Sequence, residues 1–335
     1  MNFDFTDDQQ AIKRTAHDFL SARFTAERVR ELAESGAYDE AAWAEMAELG
    51  WAGIFVSEEH GGQGLGVVEL VILMEELGYA LAPTPFFSNA AAGLMLGAAG
   101  SDYQRRRWLP GIAAGEATGT VGVVHGDRAP LVPDADAAAV IVLVDEDGRA
   151  RLVPREEAEV EPVETIDATR RFSAVRADGG EPLEGDVAWA LGAIRTALAA
   201  ELTGVAQRAM EMAVAYAKER EQFGRPIGAY QAVSHRCSQM LLEVEGARST
   251  TYYAAWAADH EPASLAQASS MAKAYASDAG WRVTASALQV HGGIGFTWEH
   301  DLHFFLKRAR TDGHLFGDAR EHRDRVAGLA LGAAG

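Results

Sequence analysis

Two pairs of segments in this chain carry residue types and spacings that could do chemistry. The first pair is Arg220-Glu221-Gln222-Phe223-Gly224 and Gln289-Val290-His291-Gly292-Gly293. A guanidinium offers a rigid fork of donors that suits a diphosphate. Paired glycines let backbone N–H groups approach an anion with no Cβ in the way. On residue type alone, the plainer reading stands beside this one: a solvated charge at a helix end and a glycine helix stop. The second pair is a glycine-rich turn, Gly61-Gly62-Gln63-Gly64-Leu65-Gly66, and the run Ser57-Glu58-Glu59-His60 before it. Glycines ahead of a helix can cradle a phosphate, but no Lys-Ser/Thr follows and no clear strand precedes, which argues against a P-loop. Ser57, Glu58, Glu59 and His60 are neighbours on a loop, where side chains do not converge as a triad requires. The histidines His291, His300, His303, His314 and His322 are scattered, with no His-Glu-x-x-His spacing, so no metal site is expected.

Bulk composition narrows the field. The 335 residues are 48% hydrophobic with a net charge of −19, which describes a globular chain of two or three domains with ample core. The negative excess argues against nucleic acid or an anionic membrane as partner, and no apolar run approaches the ~18 residues of a membrane span. The acidic start, Asn2-Phe3-Asp4-Phe5-Thr6-Asp7-Asp8, is not a signal peptide. Cys237 is the single cysteine; it excludes an intrachain disulfide, fits a reducing cytoplasm and reads as a small core residue.

The elements that must position these residues fall into three stretches. Residues 1–116 read as a helical domain. Thr6 caps one helix, with acidic residues just after it. A second runs from Asp39 to Leu49 with Asp39 as its cap, and a third from Val67 to a glycine stop at Gly78. Residues 117–187 change period. The apolar run Ala138–Val144, the turn Asp145-Glu146-Asp147-Gly148 and Ala150–Val153 predict a β-hairpin; Phe172–Arg176 predicts a further strand closed by Asp178-Gly179-Gly180. Residues 188–335 return to helix. Leu202, Val205, Ala206, Ala209, Met212, Ala213 and Tyr216 make one apolar stripe, and Val233, Cys237, Met240, Leu241, Val244 and Ala247 a second. A third long helix is expected from Leu265 to Gln289, stopped by Gly292-Gly293, and the whole as a four-helix bundle.

These motifs, in this order over nearly the whole length, resemble the acyl-CoA dehydrogenase family. The resemblance rests on Ser57-Glu58-Glu59-His60-Gly61-Gly62-Gln63-Gly64, with Ser57 in place of a proline, on Glu75-Glu76-Leu77-Gly78, on Trp108-Leu109-Pro110-Gly111 through Glu116, and on the Arg220 and Gly292 segments. It implies an α+β fold with an N-terminal helical domain, a middle β domain and a C-terminal bundle. It also implies FAD lying between subunits, its diphosphate side held by residues matching Arg220, Gln222, Phe223, Tyr230 and Gln231 together with Gln289, Val290, His291, Gly292 and Gly293.

Two features depart from the family pattern. The glutamate that removes the α-proton belongs in a Tyr-Glu-Gly triplet, where this chain reads Leu315-Phe316-Gly317. The other family position for it is Ile194, just before the active-site candidate Arg195. General-base catalysis needs a carboxylate within hydrogen-bond reach, so no catalytic residue is assigned; Asp312 and Asp318 are the only nearby substitutes. The middle β domain, 117–187, is small and truncated beside the family's, and it lacks the flavin-ring motifs: Val121-Gly122-Val123-Val124-His125-Gly126-Asp127-Arg128 stands where one belongs, and no Trp-Ile-Thr occurs in it. The resemblance therefore implies the shorter, base-lacking subunit of an α2β2 acyl-CoA dehydrogenase, as in bacterial degradation of sterol side chains. The expected partners are a longer subunit with an intact glutamate, an acyl-CoA substrate and an electron-transfer flavoprotein. The alternatives are a self-sufficient homo-oligomer with a displaced base and a non-catalytic binding protein on the same fold.

Overall fold

The structure, a computed structural model, describes residues 5–332. Six helices come first: α1 Asp7–Arg23, α2 Ala26–Ser35, α3 Glu40–Glu48, α4 Val67–Ala80, α5 Phe86–Ala99 and α6 Asp102–Ala113. Their starts are set by side-chain caps. The Thr6 hydroxyl accepts from Gln9 N and the Gln9 side chain returns to Thr6 N, while Asp39 accepts from Ala42 N. The glycine stop expected at Gly78 is not one. Helix α4 continues to Ala80, and Leu81 takes the left-handed turn at φ 52°. Gly78 instead lets α4 touch a later helix, since a Cβ there would run into the Glu201 carbonyl.

Seven short strands follow: β1 Gly119–Val123, β2 Ala129–Pro133, β3 Val140–Val144, β4 Ala150–Pro154, β5 Glu159–Pro162, β6 Phe172–Arg176 and β7 Glu181–Leu183. They form a sheet of order β1-β3-β4-β7 and a second of order β2-β6-β5. The hairpin β3–β4 and strand β6 lie where the sequence places them; β1, β2, β5 and β7 add to that reading. Strand β3 is buried along its whole length because it has two apolar faces. Val140, Val142 and Val144 pack on the helical core, whereas Ile141 and Leu143 meet Val132 and Val175 of the other sheet.

The C-terminal stretch holds α7 Val187–Glu219, the two-residue strands β8 Glu221–Gln222 and β9 Arg225–Pro226, then α8 Gln231–His260, α9 Pro262–His291, α10 Leu302–His314 and α11 Ala319–Ala330. Helices α7, α8 and α9 are the three long members of the bundle and α10 packs as the fourth, against α7 and α9. A Cβ on Gly204 of α7 would strike the Glu75 carbonyl of α4, so Gly78 and Gly204 together allow the close crossing that joins the N-terminal helices to the bundle. Cys237 is half-buried on α8, packed against the core and not enclosed within it, and burial pushes its thiol pKa up. Among the described residues no helix is long and apolar enough to cross a membrane.

Candidate functional site

Helix α7 reaches two places where chemistry-bearing residues gather. At its C-terminal end Arg220 leaves the helix and enters the β8–β9 hairpin, whose two turn residues, Phe223 and Gly224, both have positive φ, 53° and 79°. The Tyr230 hydroxyl donates to the Gln222 carbonyl at 3.1 Å, and the Arg225 guanidinium lies 4.1 Å over the Tyr230 ring, which fixes the hairpin on the start of α8. Helix α9 ends beside it. Tyr216, one turn before Arg220, stacks on His291 with centroids 4.5 Å apart, and Gly292 turns the chain at φ 65°.

The structure thus brings both predicted segments to one end of the bundle. Arg220, Gln222, Phe223, Gln231, Gln289 and Gly293 are exposed there, and Tyr230 and Gly292 are half-buried. Val290 and His291 face inward. The His291 ring hydrogen-bonds the Ala287 carbonyl at 2.8 Å, and burial lowers its pKa, so the ring is a neutral packing group. Phe223 is 93% exposed on a strained left-handed backbone. A Cβ added to Gly293 would meet nothing within 4 Å, so the chain's own packing does not call for glycine there. An exposed guanidinium, an exposed ring and uncovered glycine backbone together suit the diphosphate side of a dinucleotide.

At the other end of α7 a cleft of about 610 Å³ opens between the first sheet and the 314–325 segment. Phe316 lines it, at φ 56°. Its ring packs edge-on to Phe87 with centroids 6.1 Å apart, and Phe87 in turn carries the Arg170 guanidinium at 5.0 Å. The Phe316 carbonyl accepts from Arg195 Nε at 3.4 Å and from His322 Nε2 at 3.1 Å. Lys273 Nζ donates to the Gly313 and Gly317 carbonyls, each at 3.0 Å, so it ties the end of α10 to the turn. Burial drives these bases toward neutrality: Lys273 to about 7 and His322 to about 3.

Neither substitute base serves. Asp318 Oδ1 accepts from Arg320 N and Glu321 N as the cap of α11, and those amides hold its pKa below the usual carboxylate value. Asp312 is fully buried, bonded to Arg170 at 2.6 Å, and does not line the cleft. Ile194 is also fully buried and faces the core, while Arg195 beside it reaches the cleft. The residues at the exposed end suit a dinucleotide's diphosphate, and those of the cleft do not suit a flavin ring. The cleft presents a phenyl ring at the base position and lacks the ring-holding motifs.

The sequence reading missed the ion network behind the cleft. Arg308 bonds Asp167 and Glu201, both at 2.6 Å, and the Thr169 carbonyl at 2.8 Å; Arg170 bonds Glu201 at 2.7 Å and Asp312. Three carboxylates face two guanidiniums, all of them buried. Burial accordingly pushes Asp312 up to about 8, and its second oxygen has no partner among the described residues. A signal was present: Glu201, Lys273 and Arg308 each sit within an apolar helix face where a charge demands a buried partner.

Comparisons with known proteins agree with this geometry. The model of the acyl-CoA dehydrogenase N-terminal domain matches residues 6–116 and that of the C-terminal domain residues 185–330. The chain is 32% identical to acyl-CoA dehydrogenase IpdE2 of Mycolicibacterium smegmatis, over 96% of this chain and 98% of the relative. It is 34% identical to acyl-CoA dehydrogenase FadE34 of Mycobacterium tuberculosis, where the match covers 97% of this chain but 48% of the relative. Among solved structures, a variant of the Tcur3481-Tcur3483 steroid ACAD superposes with a TM-score of 0.90 at 29% identity, covering 98% of this chain and 99% of the other. The chain belongs to the acyl-CoA dehydrogenase family of FAD-dependent oxidoreductases acting on CH–CH bonds.

Proposed function

We propose that this chain is the base-less subunit of a two-chain acyl-CoA dehydrogenase. The observation that carries this reading is the contrast along α7: an exposed nucleotide-type end at Arg220, and a cleft whose base position is Phe316 packed on Phe87. A longer partner subunit supplies the glutamate that takes the α-proton of an acyl-CoA, together with the ring side of the cofactor site. This chain supplies Arg220, Gln222, Phe223, Tyr230, Gln231 and the backbone from Gln289 to Gly293 for the diphosphate side. FAD, when bound, would supply the acceptor for the β-hydride and the route of electrons to an electron-transfer flavoprotein. The hyphenated name of the steroid ACAD relative supports a two-component enzyme and a steroid CoA thioester as substrate class. The partial match to FadE34 supports it too, since one chain-length accounts for about half of that polypeptide. The resulting assembly is an α2β2 tetramer of cytoplasmic type.

The test is flavin stoichiometry. Co-expressed with a longer, glutamate-bearing subunit, the purified complex should hold one FAD per pair of unlike chains, and this chain alone should hold little and turn over no acyl-CoA. One FAD per chain, with turnover by this chain alone, would overturn the reading in favour of a homo-oligomer; Asp318, tied up as a helix cap, gives that alternative no base.

A further inference from the structure

The cleft beside Phe316 has lost its base but not its volume. At about 610 Å³ it lies within the 300–1,000 Å³ typical of small-molecule sites. Its deep wall is apolar, formed by Val121, Val144, Leu191, Leu315 and Phe316. One charged group enters that wall, Arg195. Among the described residues its side chain bonds only the Phe316 carbonyl, at 3.4 Å, and no carboxylate lies within ion-pair distance.

The acids around the cleft are engaged elsewhere. Asp318 caps α11, and Glu321 accepts from Asp318 N at 3.1 Å to complete the capping box. Asp145 binds Arg149 at 3.0 Å and the amides of its own hairpin turn. Glu146 lies 3.8 Å from His125 on the open rim, where its side chain is 71% exposed. Among the described residues Arg195 itself forms no ion pair, although Glu321 acts on it at longer range. Burial and the nearby Arg325 pull the Arg195 pKa down to about 10 against the opposing pull of Glu321, and Lys273 sits behind the same turn. A desolvated guanidinium without a direct ion-pair partner, set in an apolar wall, is complementary to an anion that brings its own apolar surface.

We propose that this cleft is a ligand site for a free carboxylic acid, its carboxylate on Arg195 and its apolar body against Leu191, Leu315 and Phe316. The inference rests on the reading that no flavin ring occupies the cleft. Acyl-CoA is the wrong ligand here. The residues at the mouth are Asp145, Glu146, Asp318 and Glu321 against Arg325 alone, so a polyphosphate tail leaving the cleft would meet net negative charge. A compact carboxylate reaches Arg195 past that rim, and its tail gains burial without presenting further charge. Ligand occupancy would bear on the 313–317 turn, which Arg195, His322 and Lys273 hold through its carbonyls.

The experiment is calorimetric titration of the reconstituted two-chain complex with decanoate, with decanamide and decanoyl-CoA as controls and FAD quantified in the same sample. Decanoate should saturate one site per copy of this chain, and decanamide should bind at least about tenfold more weakly. Arg195→Gln should weaken decanoate by at least about tenfold and leave decanamide unchanged. If that variant fails to fold, Leu191→Trp, which narrows the cleft and keeps Arg195, should abolish the decanoate site. Equal binding of acid and amide, unchanged binding in either variant, or decanoyl-CoA outcompeting decanoate at this site would each overturn the proposal. One FAD per unlike pair with no decanoate site sinks this inference alone, whereas one FAD per chain sinks the two-chain reading with it.

Discussion

Helix α7 carries an arginine toward each end, and the two have opposite surroundings. Twenty-five residues separate Arg195 from Arg220, about 37 Å along the helix. Arg220 is exposed and lies beside an exposed ring and uncovered glycine backbone. Arg195 is held against its own chain by the Phe316 carbonyl, in front of a buried network of charges. One end presents its groups on an exposed surface, while the other is a cleft backed by charges that the protein pairs internally. Damage to the network behind the cleft should therefore read out as lost folding stability, and damage at the hairpin as lost ligand or partner affinity.

The largest effect should come from the network behind the cleft. Arg308→Met leaves Asp167 and Glu201 buried without their shared guanidinium, and removal of one partner of a buried pair costs about 3–5 kcal/mol. Thermal unfolding followed by circular dichroism should show a melting temperature lower by roughly 10 °C, given about 2–4 °C per kcal/mol in chains of this size class. A shift under a few degrees would mean that the cleft end is not held by these charges.

Next comes the base position itself. Phe316→Glu replaces a buried ring on Phe87 with a carboxylate, at a cost of about 2–4 kcal/mol, with Arg195 and Lys273 offsetting part of it. Turnover per FAD in the reconstituted complex should not rise. A doubling of active sites per tetramer would show that the cleft does hold a flavin ring, and the contrast between the two ends would collapse.

Acid gives a third test. The folded state holds His322 at about 3, against an ordinary value of 6.5 in the unfolded chain. Between those values the unfolded chain binds the proton and the folded one refuses it, so this group costs stability progressively as pH falls below 6.5. At pH 5 the cost is about 2 kcal/mol at 1.36 kcal/mol per unit. His322→Gln, whose amide can still donate to the Phe316 carbonyl, should flatten the slope of melting temperature between pH 4 and 6.5. An unchanged slope would place the acid sensitivity elsewhere.

What could be read in advance divides along the same line. Local signals were legible: the caps at Thr6 and Asp39, the β3–β4 hairpin around Asp145–Gly148, and the end of α9 at Gly292. These are fixed by residues within a few positions of one another. The parallel pairing of β1 with β3, and the second sheet built from β2, β6 and β5, depend on β1, β2 and β5, which carry no clear pattern of their own, and on pairings between strands far apart in sequence. Gly78 was misread for a related reason, because its purpose appears only once Glu201 of α7 is known to press against it. The network was least legible, since Arg170 and Asp312 lie 142 positions apart. The exposed end was the easier of the two, because its residues are grouped in short runs of sequence.

The smallest expected effect lies at that exposed end and bears most directly on the comparison. Arg220→Ala removes no buried contact and no ion pair recorded among the described residues, so the isolated chain should melt within about 1 °C of wild type. In the two-chain complex the same change removes a charge-assisted bond to the cofactor diphosphate. Such bonds contribute about 1.5–3 kcal/mol; the low end applies where water still reaches the guanidinium, giving roughly one decade in FAD affinity. Lysine keeps the charge and loses the fork, so Arg220→Lys should recover only part of that decade. Measuring FAD retained after dilution and gel filtration, alongside melting curves of the isolated chain, separates the two consequences. A loss of stability without a loss of flavin would make Arg220 a structural cap like Asp318, and the two ends of α7 would then differ in burial but not in purpose.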